Sequence, residues 1–172
     1  VINLDLKEKI KYKNKNYKYE RLDISKLNSI NNKLNKLVKK YGCPDVFINS
    51  SYPKTNDCHK NSFKKINLKS FEKNIKIHLN SGCWILKLIA DKMKYHRISG
   101  KIVQLSSIYG LVGQDSSIYK NTKINESVTY SIIKGGQSNF IRQMASFYGK
   151  NNININAVCA GGVRNKQEKN FI

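Results

Sequence analysis

Apolar residues in this chain come in two arrangements: short continuous runs, and longer stretches that repeat every three to four positions. Val1–Asp5, Tyr19–Asp23, Asp45–Asn49, Ile102–Ser107 and Ile153–Cys159 are runs of five to seven residues, all but Tyr19–Asp23 carrying both Ile and Val. That length and composition suit buried parallel strands. Between them lie helical periods. Ser25 is placed to N-cap a helix whose Leu27, Ile30, Leu34, Leu37, Val38 and Tyr41 share one face, with Gly42 just past its end. A long helix is expected over 70–95, apolar around Trp84–Ile89, and another over 127–148. The latter turns Ile133, Phe140, Ile141, Met144 and Phe147 inward and stops at Gly149. Gly135 and Gly136 lower its helix propensity, and the purpose expected of them is close backbone approach.

The connecting segments are uneven. Residues 7–18 read as a frayed helix and loop, and a lysine-rich loop with Cys58 and His59 runs to about residue 68. Gly110 to Ser127 is a loop of about 16 residues, a length usually reserved for function, and it is expected to overhang whatever lies at its two ends. Strands alternating with helices predict an α/β fold with a parallel sheet, a single domain over 1–172 and no internal repeat.

Composition narrows the class. The chain has 172 residues, 40% hydrophobic, enough for a core of its own. No apolar run reaches the roughly 18 residues of a membrane span. Val1–Asp5 lacks the basic lead of a secretory signal, so a cytoplasmic location and no membrane partner are expected. Cys43, Cys58, Cys83 and Cys159 show no paired spacing, which reads as free thiols with no metal site. A net charge of +21 raises the question of a nucleic-acid partner. Only four of the 32 basic residues are Arg, however, and the lysines are spread through every segment. With 22 Asn and 21 Ile beside them, the lysines read as compositional drift, and no nucleic-acid partner is expected.

The chemistry gathers around Tyr130-Ser-Ile-Ile-Lys134. Four residues apart on a helix, the two side chains share one face. A fixed ammonium favours the phenolate, which makes the phenol a usable acid or base. Ser107, 23 positions earlier, ends an apolar strand, and ligands of open α/β sheets bind at the carboxyl ends of strands. A hydroxyl there is placed to hold a carbonyl oxygen while Tyr130 supplies its proton. Asp5 also ends a strand, where a carboxylate can accept from ribose hydroxyls or can simply face solvent.

In order and approximate spacing, several motifs resemble the short-chain dehydrogenase/reductase family: Asp23-Ile24 after a strand, Asn49-Ser-Ser-Tyr-Pro53 where the family has Asn-Asn-Ala-Gly, Ser106-Ser107, Tyr130-x-x-x-Lys134, and Ala160-Gly161-Gly162-Val163 where it has Pro-Gly. The resemblance implies a three-layer Rossmann-like fold with a mostly parallel sheet, incomplete at both ends, and an NAD- or NADP-dependent oxidoreductase acting on an alcohol or carbonyl. It implies Tyr130 as acid/base and Ser107 on the substrate oxygen. Lys134 would tune the phenol and bind the nicotinamide ribose. Asp23 and Ile24 would meet the adenine, Asn49 and Ser50 would border the cofactor, and Gly161, Gly162 and Val163 would line the carboxamide. Asp5 would favour NAD by repelling a 2′-phosphate. Tyr52-Pro53 and the 110–127 loop resemble a branch of flagellin-glycan and sugar-modifying reductases.

The chain departs from the family pattern in three places. His78, or Asn80 two residues on, stands where the family has a relay Asn. Ala160 replaces Pro, and the family's Thr falls at Asn165. The Gly-rich pyrophosphate turn, which belongs to a strand and helix preceding Val1, does not occur within residues 1–172, so a fragment that binds NAD poorly by itself is expected. Family resemblance also implies a homo-oligomer packed through the two long helices. The alternative to an enzyme is a non-catalytic relative that keeps the fold for binding or assembly.

Overall fold

A computed structural model describes residues 1–7, 14–122 and 124–163. Among the described residues five strands form, each short and parallel to its neighbours: β1 (Ile2–Asp5), β2 (Lys18–Arg21), β3 (Val46–Asn49), β4 (Lys101–Leu105) and β5 (Asn154–Val158). β1 pairs with β2, and β3-β4-β5 make a second sheet. Among the described residues, β1 and β3 are not joined through a common neighbour.

Alternation along β3, β4 and β5 decides what faces the helices. Ile102, Gln104 and Ile155 are buried, while Val46, Ile48, Leu105 and Val158 on the other face are 41–60% exposed. The helical layer consists of α1 (Leu27–Tyr41), α2 (Leu68–Asn74), α3 (Ser81–Tyr95) and α4 (Val128–Tyr148), with α3 lying between α1 and α4. Ile30 and Leu34 of α1, Ile85 to Met93 of α3, and Ile141, Met144 and Tyr148 of α4 close one core over Ile102, Ile153 and Ile155. The described residues thus supply parallel strands, in two sheets, and one helical layer of the three layers expected.

Several local expectations are corrected. Ser25 does not cap α1: its N–H and hydroxyl both donate to Asp23 Oδ1, at 3.0 and 2.6 Å, and the helix begins two residues later with no side-chain cap. Gly42 does end α1, at φ 85°, a conformation that favours glycine. Phe147 is 54% exposed, and Tyr148 takes the core position instead, donating to Asp91 Oδ1 at 2.6 Å. The strand expected to reach Ser107 stops at Leu105, and Ser106 and Ser107 continue beyond it.

The long helix is interrupted. Between α2 and α3, Ile75–Asn80 is wound as a π-helix, which inserts an extra residue in the turn and shifts the phase of α3. Close packing holds it against α4. A Cβ built on Gly136 would lie 3.0 Å from Leu79 Cδ1. One built on Gly110 would lie 2.7 Å from the Lys134 carbonyl oxygen, so the turn after β4 also needs glycine to approach α4. Gly135 is less constrained, with its nearest contact 3.8 Å away.

Candidate active site

Parallel register brings Asn49 opposite Gln104 and Leu105 opposite Val158, so the carboxyl ends of β3, β4 and β5 lie side by side. Beyond them, the N–H of Ile108 donates to the Ala160 carbonyl at 3.0 Å, which brings the chain leading to Gly161, Gly162 and Val163 alongside Ser107. All three of those residues are exposed. Ser107 is 5% exposed, and its Oγ accepts the N–H of Tyr109 at 3.2 Å. Its own proton has no acceptor among the described residues.

Helix α4 is set by Ser127, whose Oγ accepts the Tyr130 N–H at 3.4 Å, an N-cap satisfying a donor that the first turn leaves free. One turn on, Lys134 is 5% exposed. Its Nζ lies 5.7 Å from the centre of the Tyr130 ring and donates to the Leu105 carbonyl at 2.9 Å. Burial holds this ammonium below the usual lysine range, partly offset by Cys159. The Tyr130 hydroxyl makes no hydrogen bond among the described residues. Tyr130 and Lys134 are therefore together, each with donor capacity to spare.

His78 lies in the π turn, 3% exposed, while Asn80 is exposed. Burial, then the nearby Lys134 charge, depresses the imidazole from 6.5 to about 4. Its Nε2 has no hydrogen-bond partner among the described residues. Between His78 and the Tyr130–Lys134 pair stands Tyr52, which sequence reasoning did not single out as a site residue. Its ring is edge-on to His78 at 4.8 Å and to Tyr130 at 5.8 Å, and 5.9 Å from Lys134 Nζ. Burial, with the Tyr130 phenol second, pushes the Tyr52 phenol up to about 12. Its place right after the Asn49 motif was the available signal.

The remaining candidates are more dispersed. Asn49 is buried and donates to Gln104 Oε1 at 2.7 Å, while Ser50 beside it is exposed. Asp5 ends β1, its Oδ1 accepting the Leu6 N–H at 2.6 Å. Asp23 holds Ser25, which keeps its carboxyl below the usual range, and Ile24 packs against the core. Asn165 lies outside the described residues. The long loop is tied to the start of α4: Gln114 Nε2 donates to the Ser127 carbonyl at 2.9 Å and to Ser131 Oγ at 2.6 Å. The four cysteines are unpaired and half-buried. Among the described residues no helix is long and apolar enough to cross a membrane.

The sequence model of a family described as short chain dehydrogenase matches residues 4–171. Post-translational flagellin modification protein A of Campylobacter coli is 31% identical over 153 residues, which cover 88% of this chain and 59% of that protein. A short chain dehydrogenase from Leptospira borgpetersenii, solved with bound NAD+, superposes with a TM-score of 0.86 at 23% identity, over 99% of this chain and 64% of its own. A 4-hydroxyisoleucine dehydrogenase complexed with NADH gives 0.75 at 23% identity, over 95% and 64%. The chain therefore spans about three-fifths of the length of these relatives.

Proposed function

The chain belongs to the short-chain dehydrogenase family, and from that premise we propose that it is the site-bearing part of an NAD(P)-dependent oxidoreductase that interconverts an alcohol and a carbonyl. The observation that carries this reading is the Lys134 ammonium held 5.7 Å from the Tyr130 ring, with buried Ser107 two residues past the end of β4 and its hydroxyl proton unused among the described residues.

The chemistry of the donor set fits a nicotinamide nucleotide at one end. Lys134 Nζ gives one N–H to Leu105 and keeps two for a ribose diol. When bound, the nucleotide supplies or accepts the hydride. Tyr130 passes the proton to or from the substrate oxygen, with the Lys134 ammonium one helical turn away. Ser107 donates its unused proton to that oxygen, where charge develops. Neutral, buried His78 is the proposed relay behind Lys134, in preference to exposed Asn80. Asn49, Ser50, Gly161, Gly162 and Val163 border the nucleotide, and Asp23 with Ile24 meets its adenine. Asp5 supports NAD over NADP through repulsion of a 2′-phosphate. No described residue supplies a pyrophosphate cradle.

A sugar or glycan-precursor substrate is supported by the 31% identity to the flagellin modification protein. A single domain and a homo-oligomer built on α3 and α4 complete the reading. The test is Tyr130→Phe in a polypeptide containing residues 1–172 that turns over NAD(P)H: hydride transfer should be lost while the cofactor still binds. Surviving turnover would overturn the assignment.

A further inference from the structure

A chain of buried amides links the ends of β3 and β4 to the Lys134 anchor, and of its members the proposed reaction uses only Asn49. At its centre is Gln104, fully buried on β4. Gln104 Oε1 accepts from Asn49 Nδ2 at 2.7 Å, and its Nε2 donates to the Leu105 carbonyl at 2.8 Å. That same carbonyl accepts from Lys134 Nζ. A carbonyl oxygen has two lone pairs, so the two donors together saturate it. On the far side, Asn49 Oδ1 accepts the N–H and the hydroxyl of Ser51, at 3.3 and 2.6 Å. Ser51 directly precedes Tyr52.

We propose that Gln104 is a positioning residue of this site: through the Leu105 carbonyl it fixes the Lys134 ammonium, and through Asn49 and Ser51 it fixes the turn that presents Tyr52 to His78 and Tyr130. The two jobs dictate the side-chain type. Only a carboxamide offers a donor to Leu105 and an acceptor to Asn49 at once. Glutamate would turn an acceptor on Leu105, and an apolar side chain would leave Asn49 Nδ2 buried without a partner. Gln104 is also directly opposite Asn49 in the β3–β4 register, so its side chain can bond across to β3 while reaching the carbonyl of its own strand. The inference rests on Lys134 serving Tyr130 as proposed, but its test needs no cofactor, so the two fail separately.

The experiment uses residues 1–172 with Gln104→Met, Gln104→Glu and, as control, Gln137→Met. Gln137 touches Gln104 only at 3.4 Å, and its own Nε2 has no partner among the described residues. In Gln104→Met, hydrogen exchange at the Ser51 and Tyr52 amides should accelerate about tenfold or more, with α1 unchanged. In Gln104→Glu, a 15N titration should place the Lys134 ammonium at a higher midpoint, because a carboxylate now sits beside its anchor. Gln137→Met should do neither. Exchange that rises equally in α1, or an unmoved Lys134 midpoint in Gln104→Glu, would overturn the proposal. Should Gln104→Met fail to fold, the Glu arm decides it.

Discussion

The ring of Tyr52 meets the imidazole of His78 edge-on, with centroids 4.8 Å apart, and the histidine, within the π turn, is 3% exposed. A buried imidazole resists protonation because the charged form loses its hydration. Here the Lys134 charge adds to that effect.

Stability should consequently depend on pH through His78. Its folded value lies near 4, against an ordinary 6.5. Between those values the unfolded chain binds the proton and the folded chain does not, so stability is complete above the ordinary value and declines as pH falls through the window. The loss is at most about 3 kcal/mol. Urea denaturation of wild type and His78→Gln at pH 7 and pH 4 measures it. The variant should lose less stability on acidification, and equal losses would remove His78 from the account.

Two glycines should respond to alanine with opposite sign. At Gly110 the new methyl group meets the Lys134 carbonyl at 2.7 Å, backbone that cannot give way, and a cost of about 1–3 kcal/mol is expected. At Gly135 the nearest atom is 3.8 Å away and the site is mid-helix, so alanine should stabilise by up to about 1 kcal/mol. Thermal unfolding of both variants checks the pair. A stabilising Gly110→Ala would mean that the turn after β4 does not approach α4 as described.

How much of this was legible in the sequence differs by kind. Tyr130 and Lys134 were readable because helix geometry makes a four-residue spacing a contact, and the strand order put Ser107 at the right end of β4. The rest needed tertiary information. Gln104 is a polar residue among the apolar Ile102, Val103 and Leu105, a pattern that does not say which neighbours its amide will meet. The π turn leaves no mark in composition, yet it accompanies His78 buried and Asn80 exposed. Phe147 and Tyr148 are adjacent aromatics, and the buried one was fixed by Asp91, a partner 57 positions away. Ser25 looked like a cap until Asp23 claimed it, a competition between local hydrogen bonds that propensity alone does not rank.

Residues 1–172 by themselves should bind NAD weakly. Lys134 and the ends of β3, β4 and β5 offer contacts to one half of the nucleotide, whereas no described segment cradles the pyrophosphate, and the β1–β2 and β3–β5 sheets are not joined by hydrogen bonds. Oriented backbone N–H groups at a helix start contribute much of dinucleotide affinity. Calorimetric titration with NAD checks this, and a micromolar dissociation constant would show that other residues of the chain supply the cradle.

Removing the Lys134 charge should separate stability from activity. The ammonium is 5% exposed, and among the described residues it makes one hydrogen bond and no ion pair, so burying it is a cost to the fold. Lys134→Met keeps the length and packing of the side chain without that cost. It should raise stability by about 1–2 kcal/mol while abolishing any hydride transfer of a polypeptide that contains it. The gain should shrink as pH rises: because the folded value is depressed, wild type sheds the proton more readily when folded and recovers stability towards the ordinary lysine value. Chemical denaturation of both proteins at pH 7 and pH 9.5 gives the difference directly. A variant less stable than wild type at both pH values would mean that the Leu105 bond outweighs burial of the charge, and that Lys134 holds the fold rather than straining it.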